Sequence, residues 1–314
     1  MSHSHSSYQR WKVAAAALLI MSSMSARAGL FEDEEARTPS FVLNHSSDLK
    51  DAALCIIDEC SMVDEELGRD LLSFKTPVLV LGDPEQLPPV KGAGFFTGSD
   101  PNFMLTEVHR QARDNPIIRM SMDVREGRGL QPGDYGESAI IARADIDADM
   151  ALTADQVLVG RNLTRRNYNA RLRHLQGYDG DLPYSGERLV CLRSNRCKGL
   201  LNGSLWKVAI VGKSTTKDVK LELTPEDVGS RKRNTKVTVR REFFRGQEEQ
   251  LPWPERRASD EFDYGYALTV HKAQGSQWDN VVLFDESGAF REEQRRWLYT
   301  GITRAAERIT VVTG

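Results

Sequence analysis

The sequence predicts an α/β protein whose second half is interrupted by a β-rich insert. The apolar runs Leu54–Ile57 and Val78–Leu81 are continuous rather than alternating, and each stops at an acidic group, Asp58-Glu59 and Asp83. Unbroken runs of this kind suit strands buried on both faces of a parallel sheet. From about 186 to 255 the character changes: short alternating runs are separated by Gly, Asn and Pro turns, with no helical period. A chain of 314 residues, 40% hydrophobic and 28% charged, has the composition of a globular protein with room for two modest domains. Its net charge of −3 supplies no overall attraction to nucleic acid, so such contact must come from local basic patches.

Between the first two runs, Val63, Leu67, Leu71 and Leu72 recur at helical spacing, which gives strand, crossover helix, strand. In that unit both strands point the same way, and the acids after them emerge at the carboxyl edge, where open α/β sheets bind ligands. Gly82-Asp83-Pro84 forces a tight turn there. One acidic loop end reads as simple solvation; two on one edge also admit a binding site.

Residues 116–128, with Ile117, Ile118, Met120, Met122 and Val124, read as a helix. Val157–Val159 suits a buried strand, followed by a helix over about 163–175. That stretch carries Arg161, Arg165, Arg166, Arg171 and Arg173, either to contact nucleic-acid phosphates or as a solvated face. His174 reads as a capping or surface residue. In the insert, Leu189–Leu192, Trp206–Val211, Lys220–Leu223 and Lys236–Arg240 are strand-like and suggest a small antiparallel barrel. Arg231, Lys232, Arg233, Lys236, Arg240, Arg241 and Arg245, with Phe243 and Phe244, could bind a single strand by phosphate contact and base stacking. Solvated edge-strand charges are the plainer alternative. Val281–Phe284 and Ile309–Val312 return to buried strands. Cys55, Cys60, Cys191 and Cys197 show no C-x-x-C spacing, which favours reduced thiols in a cytoplasmic protein over a zinc site.

Residues 1–48 carry a signal-like pattern: Arg10 and Lys12, the apolar run Val13–Met21, then Ala26-Arg27-Ala28. The run is too short to span a membrane. Residues 29–50 are polar and acidic and read as a loop before the first strand.

Asp58-Glu59-Cys60-Ser61 resembles a Walker B box, and Gly82-Asp83-Pro84-Glu85-Gln86-Leu87-Pro88-Pro89 resembles motif III of superfamily 1 helicases, particularly the RecD-like branch. Leu105-Thr106-Glu107-Val108-His109-Arg110-Gln111-Ala112 is similar to motif IV. Tyr266 to Gln277, with Thr269-Val270-His271-Lys272-Ala273-Gln274-Gly275-Ser276, is similar to motif V. Trp297-Leu298-Tyr299-Thr300-Gly301-Ile302-Thr303-Arg304-Ala305 matches motif VI. The resemblance covers about residues 50–314 in the family's motif order. It departs at Gln277, where many relatives carry Glu, and no G-x-x-x-x-G-K-[ST] string precedes Asp58.

The resemblance implies two RecA-like P-loop NTPase lobes, the first truncated, around an ATP–Mg²⁺ cleft, with the small β-barrel inserted in the second. The implied divisions are 1–48, a signal-like or remnant segment; 49–104, the partial first lobe; 105–185 and 256–314, the second lobe; and 186–255, the barrel. Asp58 would hold Mg²⁺ through water and Glu59 would activate the attacking water; Gln86, Arg110 and the arginine finger Arg304 would address the γ-phosphate. Gly275 and Gln277 would lie against the nucleotide, with Gln277 on the ribose. Thr269, His271, Lys272, Arg240 and Arg241 would bind DNA, single-stranded and duplex. The implied activity is ATP-dependent translocation 5′ to 3′ and unwinding, in the cytoplasm, without a membrane, with a nuclease or repair and recombination protein as a possible partner. The alternative is a catalytically inactive DNA-binding fragment of such a helicase. Export would leave motor motifs without ATP, so the signal-like pattern reads as fortuitous.

Overall fold

The computed structural model describes residues 43–89, 92–105, 115–226 and 234–314. The signal-like segment, Arg110, and the insert's Arg231, Lys232 and Arg233 lie outside them. The chain divides into two compact units. One holds the described residues up to Pro84 together with Pro88–Met104; the other holds Glu85–Leu87 and the described residues from Leu105 onward.

In the first unit, β1 (Cys55–Ile57) and β2 (Val78–Val80) pair in parallel, with Ile57 opposite Val80. The crossover is α1 (Glu65–Ser73), started by Asp64, whose side chain accepts the Leu67 N–H at 2.8 Å. Leu49, Cys55, Ile57, Val63 and Leu71 form its core. The expectation of strands buried on both faces holds for one face only. Leu79 and Leu81 are 45% and 46% exposed, and Leu72 on α1 is also exposed. Among the described residues this sheet has two strands, so the core covers one side of it.

The second unit opens with α2 (Pro116–Arg125). Asn115 caps it by accepting the Ile117 N–H at 2.8 Å, and Pro116 sits in the first turn, where its missing N–H costs nothing. Ile117, Met120 and Val124 make the buried face, and the helix stops short of 128 at Gly127, whose φ is +76°. Then come β3 (Gly133–Tyr135), β4 (Ser138–Ala142), α3 (Ala148–Thr153), β5 (Gln156–Val159) and α4 (Asn162–Leu175).

The insert supplies β6 (Arg188–Cys191), β7 (Leu205–Val211), β8 (Asp218–Pro225) and β9 (Thr235–Arg240), followed by the short α5 (Arg241–Phe244) and α6 (Trp253–Arg257). Its fifth strand, β10 (Phe262–Tyr264), lies past the boundary expected at 255. The sheet is antiparallel in the order β10-β6-β7-β8-β9. A lone parallel bridge, Val239 with Asp260, joins β9 to the segment leading into β10. Phe243 and Phe244, which the sequence offered for base stacking, are buried in this sheet's core with Trp206, Phe262 and Tyr264. Neither ring is available to a base.

The chain then returns through β11 (Ala267–Thr269), β12 (Trp278–Phe284), α7 (Gln294–Ile302) and β13 (Ala305–Thr313). The six-stranded sheet runs β11-β5-β12-β13-β4-β3, parallel throughout except for β3 against β4. Trp297 of α7 is fully buried and stacks on Phe290, ring centroids 5.3 Å apart.

Helix α4 splits its arginines: Arg161 and Arg171 are exposed, as a solvated face expects, while the others turn to internal partners. Arg165 and Arg173 point inward. Arg165 pairs with Asp263 at 2.7 Å, and Arg173 pairs with the fully buried Glu187 at 2.6 Å. Arg166 bonds Glu248 at 2.8 Å. Between the inward arginines, Asn169 exchanges two hydrogen bonds with the backbone of Ala267, at 2.9 and 3.0 Å, which completes the edge strand β11. Arg165, Asn169 and Arg173 therefore carry internal structure rather than a phosphate-binding or solvated face. His174 lies at the surface, 3.0 Å from Asp179. No described helix is long and apolar enough to cross a membrane, and all four cysteines are free thiols.

Candidate functional site

The acidic groups of the first unit gather where β1 and β2 end. Parallel pairing with Ile57 beside Val80 forces this, because Asp58 and Asp83 then follow neighbouring strand ends. The Cys60 N–H donates to Leu81 O at 3.1 Å and the Leu81 N–H to Ile57 O at 2.7 Å, lashing the acidic turn to the end of β2. Gly82 permits this closeness, since a Cβ there would come within 2.5 Å of the Cys60 Sγ. Burial, then the negative charges of Glu59, Asp58 and Asp83, push the Cys60 thiol above its ordinary pKa.

Asp58 is exposed and accepts the Glu59 N–H at 2.9 Å. Glu59 is left-handed, with φ 53° and ψ 45°. A non-glycine residue held there costs on the order of 1–3 kcal/mol and persists only where its surroundings impose it. The described residues hold no group of three or more His, Cys, Asp or Glu able to bind a metal outright. An exposed carboxylate at a strand end nevertheless suits Mg²⁺, which keeps most of its waters and takes one or two protein oxygens.

The second unit brings together three further segments. Leu87, next to Gln86, lies in its core with Trp297 and Ile302, and its carbonyl accepts from Gln274 Nε2 at 2.9 Å. The turn after β11 is tied by Thr269, whose carbonyl accepts the Ala273 N–H at 3.0 Å and whose Oγ1 accepts the Lys272 N–H at 3.3 Å. Gly275 completes the turn at φ +75°, and Gln277 follows it, exposed. Arg304 is 6% exposed; its Nε donates to Thr300 O and its Nη1 to Ser276 O, both at 3.1 Å, and its Nη2 donates to Thr303 Oγ1 at 3.2 Å. The segment holding Gln86, the 274–277 turn and Arg304 are thus bonded into one cluster. The Gln86 Oε1 is buried without a hydrogen-bond partner among the described residues.

Comparison with known proteins bears on this geometry. Residues 264–312 match the UvrD-like helicase C-terminal domain, a span enclosing the 269–277 turn and Arg304. Residues 10–144 match the AAA domain, which encloses Asp58, Glu59 and Gln86. The "ATP-dependent RecD2 DNA helicase" of Deinococcus radiodurans is 29% identical over 280 residues, 81% of this chain and 35% of that protein. The "Probable conjugal transfer protein TraA" of Sinorhizobium fredii is 23% identical over 301 residues, 85% of this chain and 25% of that one. These matches support the resemblance to the RecD-like branch of superfamily 1 helicases. It spans about a third of the length of the RecD2 relative. The Pif1 helicase from Candida albicans shares the fold at TM-score 0.52 and 16% identity, over 84% of this chain and 72% of that one. Pif1 from Bacteroides, crystallised with ADP-AlF3 and ssDNA, does so at 0.51 and 14%, over 90% and 76%.

The residues that the family resemblance assigns to DNA fall into different environments. Arg240 has its guanidinium 2.6 Å from Glu255 and 3.5 Å from both Asp218 and Glu242, so its charge is matched inside the insert. Arg241 opens α5 and is half-buried. Lys272 donates to Asn202 Oδ1 at 2.6 Å, and desolvation lowers its pKa. His271 lies against Phe290, centroids 5.4 Å apart, and burial lowers its pKa, favouring the neutral ring.

Sequence reasoning missed Glu286. Its carboxylate accepts the Gly160 N–H at 2.7 Å, the Arg161 N–H at 3.1 Å and the Thr164 hydroxyl at 2.7 Å, so it caps the start of α4. Gly160 makes room for it, since a Cβ there would meet the Glu286 Cβ at 2.8 Å. The glycine after a buried strand was the available signal.

Proposed function

We propose that this chain is the motor part of a RecD-like helicase, coupling ATP hydrolysis to movement along single-stranded DNA and to duplex unwinding. The observation that carries this reading is the bonded cluster of the Gln86–Leu87 segment, the Gln274–Gln277 turn and Arg304. Three hydrogen bonds set the plane of the Arg304 guanidinium before any ligand arrives, and preorganised donors of this kind are what a developing phosphoryl charge needs.

In this reading Asp58 is the residue that would hold Mg²⁺, whose charge would offset that of the phosphate oxygens. Glu59, fixed by its left-handed backbone, would take the proton of the attacking water. Gln86, Arg110 and Arg304 would address the γ-phosphate, and Gly275 and Gln277 would border the nucleotide. Thr269, His271 and Lys272 would line the strand's path, with Arg241 on the insert. The same reading takes 49–104 as the first RecA-like lobe, 105–185 with 256–314 as the second, and the five-stranded sheet as a small β-barrel inserted in it. A nuclease or repair and recombination partner and a cytoplasmic location accompany it.

The test is ATP hydrolysis by the purified chain with and without single-stranded DNA, beside Arg304→Ala. DNA-stimulated turnover that falls by about 10³-fold in the variant is the expected result. DNA binding without any turnover would replace this reading with that of an inactive DNA-binding fragment.

A further inference from the structure

Leu87 is fixed through both polar atoms of its backbone. Its N–H donates to Thr300 Oγ1 and its carbonyl accepts from Gln274 Nε2, each at 2.9 Å, across sequence separations of 213 and 187 residues. Glu85–Leu87 belongs to no helix or strand, so no regular ladder serves these groups. A buried N–H left unpaired is costly, and here a side-chain hydroxyl meets the need. Thr300 is itself 0% exposed. Its carbonyl accepts from Arg304 Nε at 3.1 Å and from the Thr303 hydroxyl at 3.0 Å.

One residue therefore grips two proposed phosphate-addressing groups, with its hydroxyl toward Gln86 and its carbonyl toward Arg304. The grip on Gln86 is tight for a covalent reason. The Leu87 N–H shares a planar peptide unit with the Gln86 carbonyl, so holding that N–H fixes the plane from which the Gln86 Cα departs. Gln274 closes on the far side of Leu87.

We propose that Thr300 is a positioning residue that sets the placement of Gln86 relative to Arg304, with Gln274 as its counterpart. This rests on the nucleotide roles proposed above for Gln86 and Arg304. A threonine that merely fills the core would lose stability when changed, whereas a positioning threonine loses turnover and regains it with serine.

The experiment compares Thr300→Val, which keeps the shape and removes the hydroxyl, with Thr300→Ser, which keeps the hydroxyl. Amide exchange by NMR is followed at Leu87 and, as a reference, at Val311 in β13, with thermal unfolding to establish that both variants fold. In Thr300→Val, exchange at Leu87 is expected to rise roughly ten- to a hundredfold while Val311 is unmoved. Thr300→Ser stays near the parent protein. ATP turnover should show kcat lowered about tenfold in Thr300→Val with little change in KM, and restored in Thr300→Ser. Unchanged exchange at Leu87, or a rise shared equally by Val311, overturns the proposal. So does faster local exchange with kcat intact. A parent chain without turnover sinks the proposed function instead, and the grip on Leu87 is then judged by the exchange result alone.

Discussion

Truncating Glu187 is expected to cost more stability than changing any exposed acid of this protein. Its side chain is fully buried and meets Arg173 through two contacts, 2.6 Å to Nε and 2.9 Å to Nη2. It also accepts the Tyr184 N–H at 2.8 Å and the Tyr266 hydroxyl at 3.3 Å. Burial works against the Arg173 charge, but the bond to Glu187 and its negative charge outweigh it and raise the pKa. Glu187→Leu leaves a buried guanidinium with two backbone carbonyls, Gly180 at 2.7 Å and Leu182 at 3.1 Å, and the Tyr264 ring at 3.8 Å. Breaking one side of such a pair costs about 3–5 kcal/mol, a large part of the roughly 5–15 kcal/mol that keeps a domain folded. Removing both charges should cost less, because an apolar replacement carries no unpaired ion. Urea unfolding of Glu187→Leu, Arg173→Met and the double variant measures this as a cycle. The double variant should recover most of the single loss. A Glu187→Leu cost below about 1 kcal/mol, or a coupling energy near zero, would refute the claim that the pair joins α4 to the insert.

Two further outcomes follow from the charges. Burial alone would raise the pKa of Glu286, but bonds from Thr164, Arg161 and Gly160 hold it below the usual carboxylate range. A depressed folded pKa means stability that is full above an unfolded value of about 4.3 and is lost as pH falls through the folded one. Glu286→Gln should flatten that acid limb in a Tm-against-pH profile, and a variant curve parallel to the parent's would contradict it. On single-stranded DNA, Arg241→Gln should make the slope of log affinity against log salt shallower by about 0.7, the share of one phosphate contact. Arg240→Gln should leave that slope alone and lower the unfolding midpoint instead, because its partners are Glu255, Asp218 and Glu242. Fluorescence anisotropy between low and moderate salt separates the two, and equal slopes for both variants would sink the distinction.

What could be read in the sequence was whatever repeats locally. The strands near 55–57, 78–80, 156–159 and 278–284 announce themselves as apolar runs, and α2 by the spacing of Ile117, Met120 and Val124. The acidic edge was legible too, since a strand–helix–strand unit alone dictates that Asp58 and Asp83 finish side by side. The edge strands β3 and β10 were not legible, because three residues with Asp in the middle carry no period.

The arginines of α4 show where local reading fails for a physical reason. A helix with five basic residues in or beside it looks solvated because an unpaired buried charge is prohibitive, and no acid lies nearby in sequence to pair with Arg165. Its partner, Asp263, is 98 residues away, on the strand that closes the insert's sheet. Burial pushes the Asp263 carboxyl above its ordinary pKa even with Arg165 beside it, so the contact is held by its geometry and its surroundings. Folding brings the charge and its partner indoors together, and neither position reads as core until both do. The same holds at Leu87, where an irregular segment is buried only because Thr300 and Gln274, far along the chain, supply its hydrogen bonds. Pairings that depend on such distant partners leave no periodic trace.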